Sequence, residues 1–461
     1  MKRLIILALA LLCSLQTLPA QEQQTLGDKT ARRSAPWVKS GVIYEIYPRA
    51  FSKEGTFAGI EAKLPELKDL GVTILWLMPI HPVGLEHRKG TLGSSYSVRD
   101  YYGVNSEYGT LDDFKRLVAS AHKLGLKVII DMVANHTSWD SKLLRQHPDW
   151  FTKDSTGRVV APVADWSDVA DLDYSKPGLR DYMIQMLEYW VRDVGIDGYR
   201  CDVAEMVPTD FWNEARAALD RIKPVFMLSE GQYPEHHLKA FDATYSWTFY
   251  QLLAPLMQGT RSVAALDSIL ASEAKHYPKG SIRMRFSSNH DENAWDNPDV
   301  VKFGVDGAKL AAVAANTFPG MPLLYNGQEA GSDAKLGLFE KHEVNWTAHP
   351  EFRALYQALF RLRKDHPALA SDGAMKPLAV PGKKQLYAFL RTKGKETLAV
   401  VWNFASHADS ALVALPSGMG RTVKAEPLLE SPNASCQVSR GASLRLAVPA
   451  LGYGIYRLQK Q

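Results

Sequence analysis

Three acidic residues follow short apolar runs of the kind that form buried β-strands: Asp202, Glu230 and Asp291. Cleavage of a glycosidic acetal needs one carboxylate that attacks the anomeric carbon and one carboxylic acid that protonates the leaving oxygen. A single acid at a strand end commonly caps the next helix. Several such acids at successive strand ends favour chemistry, and this set predicts cleavage of a glycosidic bond.

The neighbours of two acids suggest different protonation states. Arg200 stands two positions before Asp202, on the same side of a strand, and its charge favours an ionised nucleophile. Glu230 follows the apolar residues 226–228, and burial raises the pKa of a carboxyl, which suits a general acid. We therefore predict Asp202 as the nucleophile and Glu230 as the general acid/base.

The elements that must position these residues alternate regularly between about residues 41 and 365. Strand-like runs lie at 41–47, 71–78, 127–131, 198–203, 225–229, 243–247, 282–287 and 321–325. Helical spacing separates them, as in 60–70 and in the segment that begins at residue 111 and stops at Gly125. Eight such units predict an α/β fold, a (β/α)8 TIM barrel whose chemistry lies at the carboxyl ends of the strands.

Two regions interrupt this alternation. Residues 136–173 show no clear helical or strand period and are predicted to be a domain inserted after the third strand. After about residue 375 the helical spacing is replaced by short β-rich runs. The predicted domains are a catalytic barrel at 36–375, which contains the insertion, and a C-terminal β-sandwich at 376–461.

The first twenty residues have the layout of a secretory signal peptide. A basic start precedes an apolar run at 4–12, and small Ala20 precedes a polar stretch. The sequence thus predicts a secreted or periplasmic protein. Cys201 and Cys436 would remain after cleavage, far apart in sequence, so no disulfide framework is expected. A net charge of +4 gives no electrostatic argument for nucleic acid or for a membrane surface.

Several motifs, in one order, resemble those of the α-amylase family of glycoside hydrolases (glycoside hydrolase family 13). The resemblance extends over about residues 40–460. The motifs that carry it are Asp100-Tyr-Tyr102, Tyr108-Gly-Thr110, Asp131-Met-Val-Ala-Asn-His136, Asp171-Leu-Asp173, Gly198-Tyr-Arg-Cys-Asp202, Glu230, Phe286-Ser-Ser-Asn-His-Asp291 and Gly320-Met-Pro-Leu-Leu-Tyr-Asn-Gly-Gln-Glu329.

The resemblance implies a role for each acid. Asp202 would form the covalent glycosyl-enzyme, and Glu230 would act first as acid and then as base. Asp291 would bind sugar hydroxyls and stabilise the transition state. The implied reaction is retaining hydrolysis of α-1,4-glucosidic bonds.

The resemblance also implies residues that bind substrate. Arg200 would orient the nucleophile, His136 and His290 would bind one glucose unit, and Tyr96 would stack beneath it. A hydrogen-bonded structural role is the alternative for each histidine, and core packing is the alternative for Tyr96. Asp131 is expected to support the site rather than to catalyse.

Two positions depart from the polysaccharide-cutting amylases, which carry Lys and His three and four residues after the nucleophile. Here these positions are Glu205 and Met206, which resembles the cyclodextrin- and pullulan-degrading branch. In the polysaccharide-cutting amylases both residues help to hold the sugars on the leaving-group side, and Glu205 and Met206 are expected to face that side. The substrate's size stays open among starch, maltooligosaccharides and cyclodextrins. A transglycosylase or an α-glucosidase on short maltooligosaccharides would use the same residues. A non-catalytic carbohydrate-binding relative would be expected to have lost the acids.

The resemblance implies one candidate cofactor, a structural calcium ion with Asn135 and Asp171 among its ligands. The insertion is short, and some relatives leave this site empty, so calcium stays open. No organic cofactor is expected. The expected partner is an α-glucan or maltooligosaccharide. No nucleic acid is expected to bind, and no membrane is expected to bind after signal cleavage. The protein is expected to be a monomer.

Overall fold

The computed structural model describes residues 25–416, 423–439 and 443–460. The signal peptide predicted at residues 1–20 lies outside the described residues. Cys201 and Cys436 are both free thiols, as expected.

Eight parallel strands close into a barrel in the order β1-β10-β9-β8-β7-β6-β3-β2, which confirms the predicted fold class. The insertion contributes β4 and β5, which pair with each other. The first ten strands are β1 (Ile43–Ile46), β2 (Ile74–Leu77), β3 (Lys127–Met132), β4 (His136–Ser138), β5 (Val169–Asp171), β6 (Gly198–Cys201), β7 (Phe226–Ser229), β8 (Ala243–Tyr245), β9 (Ile282–Arg285) and β10 (Met321–Tyr325).

The barrel strands are apolar on both faces because each face packs against protein. Ile43, Ile74, Ile129 and Phe226 belong to a buried cluster in the barrel interior. Alternate residues such as Tyr44 belong to the larger cluster between the strands and the helices. Because side chains alternate along a strand, the residue two positions after an interior residue also points into the barrel.

Helices surround the barrel, and short 3₁₀ and π segments connect several elements. The helices are α1 (Pro36–Lys39), α2 (Pro48–Phe51), α3 (Phe57–Ala62), α4 (Leu64–Leu70), α5 (Leu111–Lys123), α6 (Lys142–Gln146), α7 (Pro177–Tyr189), α8 (Thr209–Asp220), α9 (His236–Lys239), α10 (Trp247–Met257), α11 (Ala264–His276), α12 (Asp299–Thr317, with a kink at Gly304) and α13 (Glu351–Asp365). The 3₁₀ segments are Pro148–Trp150, Ala204–Met206, Gln328–Ala330 and Pro367–Leu369, and the π segments are Trp190–Val194 and Glu292–Asp296.

Local sequence explains where two of these helices begin. The single helix predicted at 60–70 is instead two helices, because Pro65 stands in the first turn of α4, where it needs no backbone N–H partner. At α5, Thr110 and Asp113 form a reciprocal capping box, and the helix stops before Gly125 as predicted.

The insertion contains regular structure that the sequence pattern did not reveal. Strands β4 and β5 pair antiparallel and join the two ends of the insertion, with His136 opposite Asp171. Three-residue strands are too short to show a period of two, which explains why the sequence of the insertion shows no clear strand pattern.

The C-terminal region forms two antiparallel sheets of five and three strands, as the β-rich runs predicted. Side chains from both sheets, such as Val401 and Leu446, share one buried cluster. Strand β11 begins two residues before the predicted boundary at 376. The strands are β11 (Ala374–Leu378), β12 (Leu386–Lys393), β13 (Glu396–Asn403), β14 (Asp409–Ala414), β15 (Val423–Glu430), β16 (Ser435–Ser439), β17 (Ser443–Val448) and β18 (Tyr453–Lys460).

Candidate active site

Two of the predicted acids lie side by side at the mouth of the barrel. Strands β6 and β7 are neighbours, and Cys201 pairs in register with Ser229. Asp202 follows Cys201 and Glu230 follows Ser229, each directly after the end of its strand. The two acids therefore project from adjacent positions at the carboxyl edge of the barrel. Asp291 comes from the segment after β9 and reaches the same cavity.

One buried guanidinium contacts three carboxylates. The Nη1 atom of Arg200 lies 2.8 Å from both Asp202 Oδ1 and Asp131 Oδ1 and donates a hydrogen bond to each. Its Nη2 atom lies 2.8 Å from Glu230 Oε1 without the alignment of a hydrogen bond. The side chain of Arg200 is fully buried, so its charge acts in a medium that screens it weakly. Asp131 therefore has the supporting position expected for it.

The backbone after the proposed nucleophile is strained. Val203 has φ 36° and ψ 46°, a left-handed conformation that β-branched residues rarely adopt. Its N–H donates a 2.7 Å hydrogen bond to Glu230 Oε2. Strain of this kind costs roughly 1–3 kcal/mol and is found at functional sites. Here it accompanies a backbone donor that positions the second carboxylate.

Burial shifts the titration of both carboxylates. It raises the pKa of Glu230, Arg200 partly offsets the rise, and the charges of Asp202 and Asp291 add to it. Burial also raises the pKa of Asp202, again against the opposing effect of Arg200. Asp202 accepts a hydrogen bond from Arg200 that Glu230 lacks, and this bond favours the ionised form of Asp202. The Val203 N–H favours the ionised form of Glu230 in the same way, but the pKa of Glu230 is still raised to about 7, against about 6 for Asp202, so Asp202 is the first of the two to ionise.

A cavity of about 280 Å³ opens beside these groups. The side chains of Asp202 and Glu230 lie deep in this cavity and are 10% and 13% exposed. The side chain of Asp291 is 34% exposed. The sequence-predicted residues that line it are Tyr96, His136, Asp202, Glu230, His290 and Asp291. The structure therefore brings together most of the predicted site, with Arg200 buried behind it.

The two predicted histidines have opposite electrostatic surroundings. Burial lowers the pKa of His136 to about 4, although Asp168 opposes this effect. Burial acts in the same direction on His290, but the carboxylates of Asp291 and Glu45 outweigh it and raise the pKa of His290 to about 9. Their surroundings therefore shift the pKa values of the two imidazoles in opposite directions from the ordinary histidine value.

Tyr96 lies within the buried polar network as well as at the cavity wall. Its hydroxyl donates to Asp131 Oδ2 at 3.1 Å and lies 2.8 Å from His290 Nε2. Its ring is nearly parallel to that of His290, with centroids 5.3 Å apart. The sugar-stacking role of Tyr96 stays a prediction.

Glu205 and Met206 do not line this cavity. Both belong to the 3₁₀ segment after β6, where Met206 is 45% exposed. The Glu205 carboxylate accepts a hydrogen bond from the backbone N–H of Gln232, and Glu205 lines a separate, larger cavity of about 820 Å³. Their predicted place on the leaving-group side stays a prediction.

The predicted calcium ligands are close together, but they form an incomplete donor set. The β4–β5 pairing puts Asp171 opposite His136, the neighbour of Asn135. Calcium takes 6–8 oxygen ligands, and these two side chains supply one amide and one carboxylate. Among the described residues, no group of three or more His, Cys, Asp or Glu is arranged to hold a metal ion. Calcium binding at Asn135 and Asp171 therefore stays a prediction.

Several residues at the site were missed from the sequence. Glu45 reaches the network from β1 and binds His290. Trp166 and Asp168 come from the insertion, Trp295 comes from the π segment after β9, and Phe339 comes from the loop after β10. Glu45 had a visible signal, a lone acid within the apolar run of β1, whereas the loop residues follow no period that could have predicted them.

A barrel whose strand ends carry adjacent carboxylates on a common arginine has the groups that a glycoside hydrolase requires. Residues 16–367, more than half of the chain, match the family model described as Alpha amylase, catalytic domain. The chain belongs to the α-amylase family of glycoside hydrolases.

Named relatives are similar over most of this chain. Alpha-amylase MalA of Haloarcula japonica is 29% identical over 84% of this chain, which spans only 58% of that relative. A cyclomaltodextrinase of a Bacillus species is 26% identical, with 83% of this chain and 76% of the relative covered. The crystal structure of a noncanonic maltogenic alpha-amylase from Thermotoga neapolitana, AmyB, is 32% identical with a TM-score of 0.84. That match covers 92% of this chain and 99% of the other.

Within the part of the chain that the structure describes, the helices lack the combination of length and apolar composition that spanning a bilayer requires.

Proposed function

We propose that this protein hydrolyses α-1,4-glucosidic bonds in starch, maltooligosaccharides or cyclodextrins with retention of anomeric configuration. The observation that carries the proposal is the placement of Asp202 and Glu230 at adjacent strand ends, both in contact with Arg200. Retaining enzymes need a nucleophile and an acid close together, because no water molecule has to fit between the nucleophile and the sugar.

The first step forms a glycosyl-enzyme. An Asp202 oxygen attacks the anomeric carbon, the glycosidic C–O bond breaks, and Glu230 gives its proton to the departing oxygen. The Arg200 hydrogen bond keeps Asp202 ionised, and burial keeps Glu230 protonated for this step.

The second step releases the sugar. Glu230, now a carboxylate, takes a proton from water as that water attacks the same carbon, and the bond to Asp202 breaks. Two inversions give net retention. Asp291 and His290 lie at the cavity wall, where both would bind sugar hydroxyls and the Asp291 carboxylate would stabilise the positive charge that develops on the sugar in both transition states.

The substrate class rests on family membership and on the relatives' names, which include a cyclomaltodextrinase and a maltogenic amylase. Glu205 and Met206 support short or cyclic maltooligosaccharides over polymer, since neither offers the donors of Lys and His. A sugar hydroxyl can replace water in the second step, so transglycosylation and α-glucosidase activity on short chains are the alternatives.

The proposal is tested by measuring reducing ends released from soluble starch, maltoheptaose and β-cyclodextrin, together with the anomer first formed, by proton NMR. We expect the α-anomer. Glu230→Gln should lower turnover at least ~10²-fold, and Asp202→Asn should lower it further. The matched control is Asp299→Asn. Asp299 is a buried carboxylate that accepts hydrogen bonds from Ser287 and Gln328 and does not line the catalytic cavity. First release of the β-anomer, or near-normal activity in either acid variant, would refute the proposal.

Export and oligomeric state belong to the same proposal. The polar residues after Ala20 support cleavage near Gln21, and N-terminal sequencing of the secreted protein tests this. Size-exclusion chromatography with light scattering tests whether the protein is a monomer. An intact N-terminus after secretion, or a larger mass in solution, would contradict these two expectations.

A further inference from the structure

The β1 strand contributes a carboxylate to the floor of the site. Glu45 stands two residues after Ile43, which belongs to the interior cluster, so its side chain points into the barrel. Barrel closure places it between Trp76 of β2 and Tyr325 of β10. Glu45 is fully buried, and a buried carboxylate is costly unless it is paired.

Among the described residues, His290 is the one hydrogen-bond partner of the Glu45 side chain. Oε1 of Glu45 accepts from Nδ1 of His290, while Oε2 has no partner in the same part of the chain. The His290 ring is also packed edge-on against Trp76, with centroids 5.9 Å apart, and stacked on Tyr96. The ring is therefore fixed on several sides, and its orientation is set by the bond to Glu45.

Hydrogen-bond direction shows which nitrogens carry protons. Glu45, when ionised, can only accept, so Nδ1 must donate to it. On the other side, the Tyr96 hydroxyl gives its single hydrogen to Asp131, so it accepts from His290 Nε2. Asp291 Oδ2 lies 3.3 Å from the same Nε2 and is another acceptor. With Glu45 ionised, both ring nitrogens thus face acceptors, which favours the doubly protonated ring. Burial raises the pKa of Glu45, and the charge of His290 and the hydrogen bond to it oppose that rise.

We propose that Glu45 is a positioning residue that holds His290 as an imidazolium and aims its Nε2–H at the sugar-binding cavity. A charged donor forms a stronger hydrogen bond to a sugar hydroxyl than a neutral one. The charges that face His290 are Glu45 from β1, Asp291 beside it, Asp131 beyond Tyr96, and the opposing Arg200. His136 lines the same cavity, and because Asp168 is the one carboxylate that raises its pKa against burial, it provides an internal comparison.

The protonation state can be observed directly by ¹⁵N NMR of histidine-labelled protein. The chain has 13 histidines, and His290→Asn and His136→Asn assign the two signals of interest by their loss. We expect His290 to show two protonated nitrogens at pH 7.5 and His136 to show one. A neutral His290 in the wild type would overturn the proposal even if no Glu45 variant folds.

The matched variant is Glu45→Gln, which keeps an acceptor oxygen but removes the charge. His290 should then become neutral at pH 7.5, while Asp299→Asn should leave its signals unchanged. Thermal unfolding confirms that each variant is folded. Unchanged His290 signals in folded Glu45→Gln would contradict the assignment.

A kinetic cycle separates this role from a general structural one. Glu45→Gln should lower kcat/KM by about ten- to a hundredfold, by analogy with the loss of the partners that orient metal-bound histidines. In a His290→Asn background the same change should cost little, because Glu45 acts through that ring. Equal losses in both backgrounds would overturn the proposal. The kinetic part rests on the proposed hydrolysis, whereas the NMR result is independent of it, so the two can fail separately.

Discussion

Arg200 donates a hydrogen bond to Asp202 but only contacts Glu230, although its guanidinium nitrogens lie 2.8 Å from both carboxylates. This asymmetry gives two acids in one buried site different protonation preferences. The nucleophile receives the aligned, charge-assisted bond, whereas the acid receives the neutral Val203 N–H. Burial raises the pKa of Glu230 to about 7 and that of Asp202 to about 6.

The first prediction concerns the pH dependence of activity. Glu230 must be protonated in the first step, and burial raises its pKa, so activity should persist well above the ordinary glutamate pKa of about 4.3 and fall as the pH rises further. Asp202 must be ionised, and because its pKa is also raised, activity should fall on the acid side above the ordinary aspartate value. The measurement is kcat/KM on maltoheptaose against pH.

The expected profile is a bell shifted to higher pH, because both pKa values are raised. It is narrow because these values, about 6 for Asp202 and about 7 for Glu230, lie close together. A profile that stays flat into the alkaline range would contradict the assignment of Glu230 as the acid. A midpoint of the acid limb at or below the ordinary aspartate pKa would contradict the burial argument for Asp202.

How far the sequence predicts this molecule depends on how local each feature is. The strands, and the acids that follow Cys201 and Ser229, were predictable because a strand end in a parallel barrel always faces the same rim. The Glu45–His290 contact was not, because it joins residues 245 positions apart through barrel closure. The left-handed backbone of Val203 has no sequence signal, since valine disfavours that conformation.

The second prediction concerns the glycine that begins β6. A Cβ atom on Gly198, whose φ is 143°, would lie 1.9 Å from the carbonyl oxygen of Phe226 in the neighbouring strand. Backbone cannot move aside as a side chain can, so Gly198→Ala should lower the free energy of unfolding by about 3 kcal/mol and displace Arg200. Urea unfolding followed by circular dichroism measures the change.

Gly157→Ala is the control for the Gly198 variant. Its φ of 83° is also left-handed, but a Cβ atom there has no neighbour within 4 Å, so only backbone strain of about 1 kcal/mol is expected. Equal effects of the two changes would show that the close approach to Phe226 is unimportant.

The third prediction concerns substrate size. Glu205→Lys with Met206→His restores the hydrogen-bond donors of polysaccharide-cutting relatives. If one hydrogen bond to the longer substrate is gained, it contributes about 1 kcal/mol. The ratio of kcat/KM on soluble starch to kcat/KM on maltotriose should then rise roughly fivefold. Met206→His alone is the milder variant, because it keeps the bond between Glu205 and Gln232.

Ratios of specificity constants are needed because only differential transition-state binding sets specificity. The wild type could already prefer starch to every short substrate, and the double variant could leave the ratio unchanged. That result would show that Glu205 and Met206 do not set substrate specificity. Their distance from the catalytic cavity would then be the explanation.

The central claim is that Asp202 forms a covalent bond to the sugar, and trapping that bond tests it most directly. Glu230→Gln treated with α-maltosyl fluoride should accumulate the intermediate, because fluoride leaves without an acid whereas hydrolysis needs the missing base. Mass spectrometry of the digested protein should find one maltosyl group on the peptide that contains Asp202, and none when Asp202→Asn is added. A maltosyl group on any other residue, or turnover of the fluoride without an adduct, would contradict the mechanism.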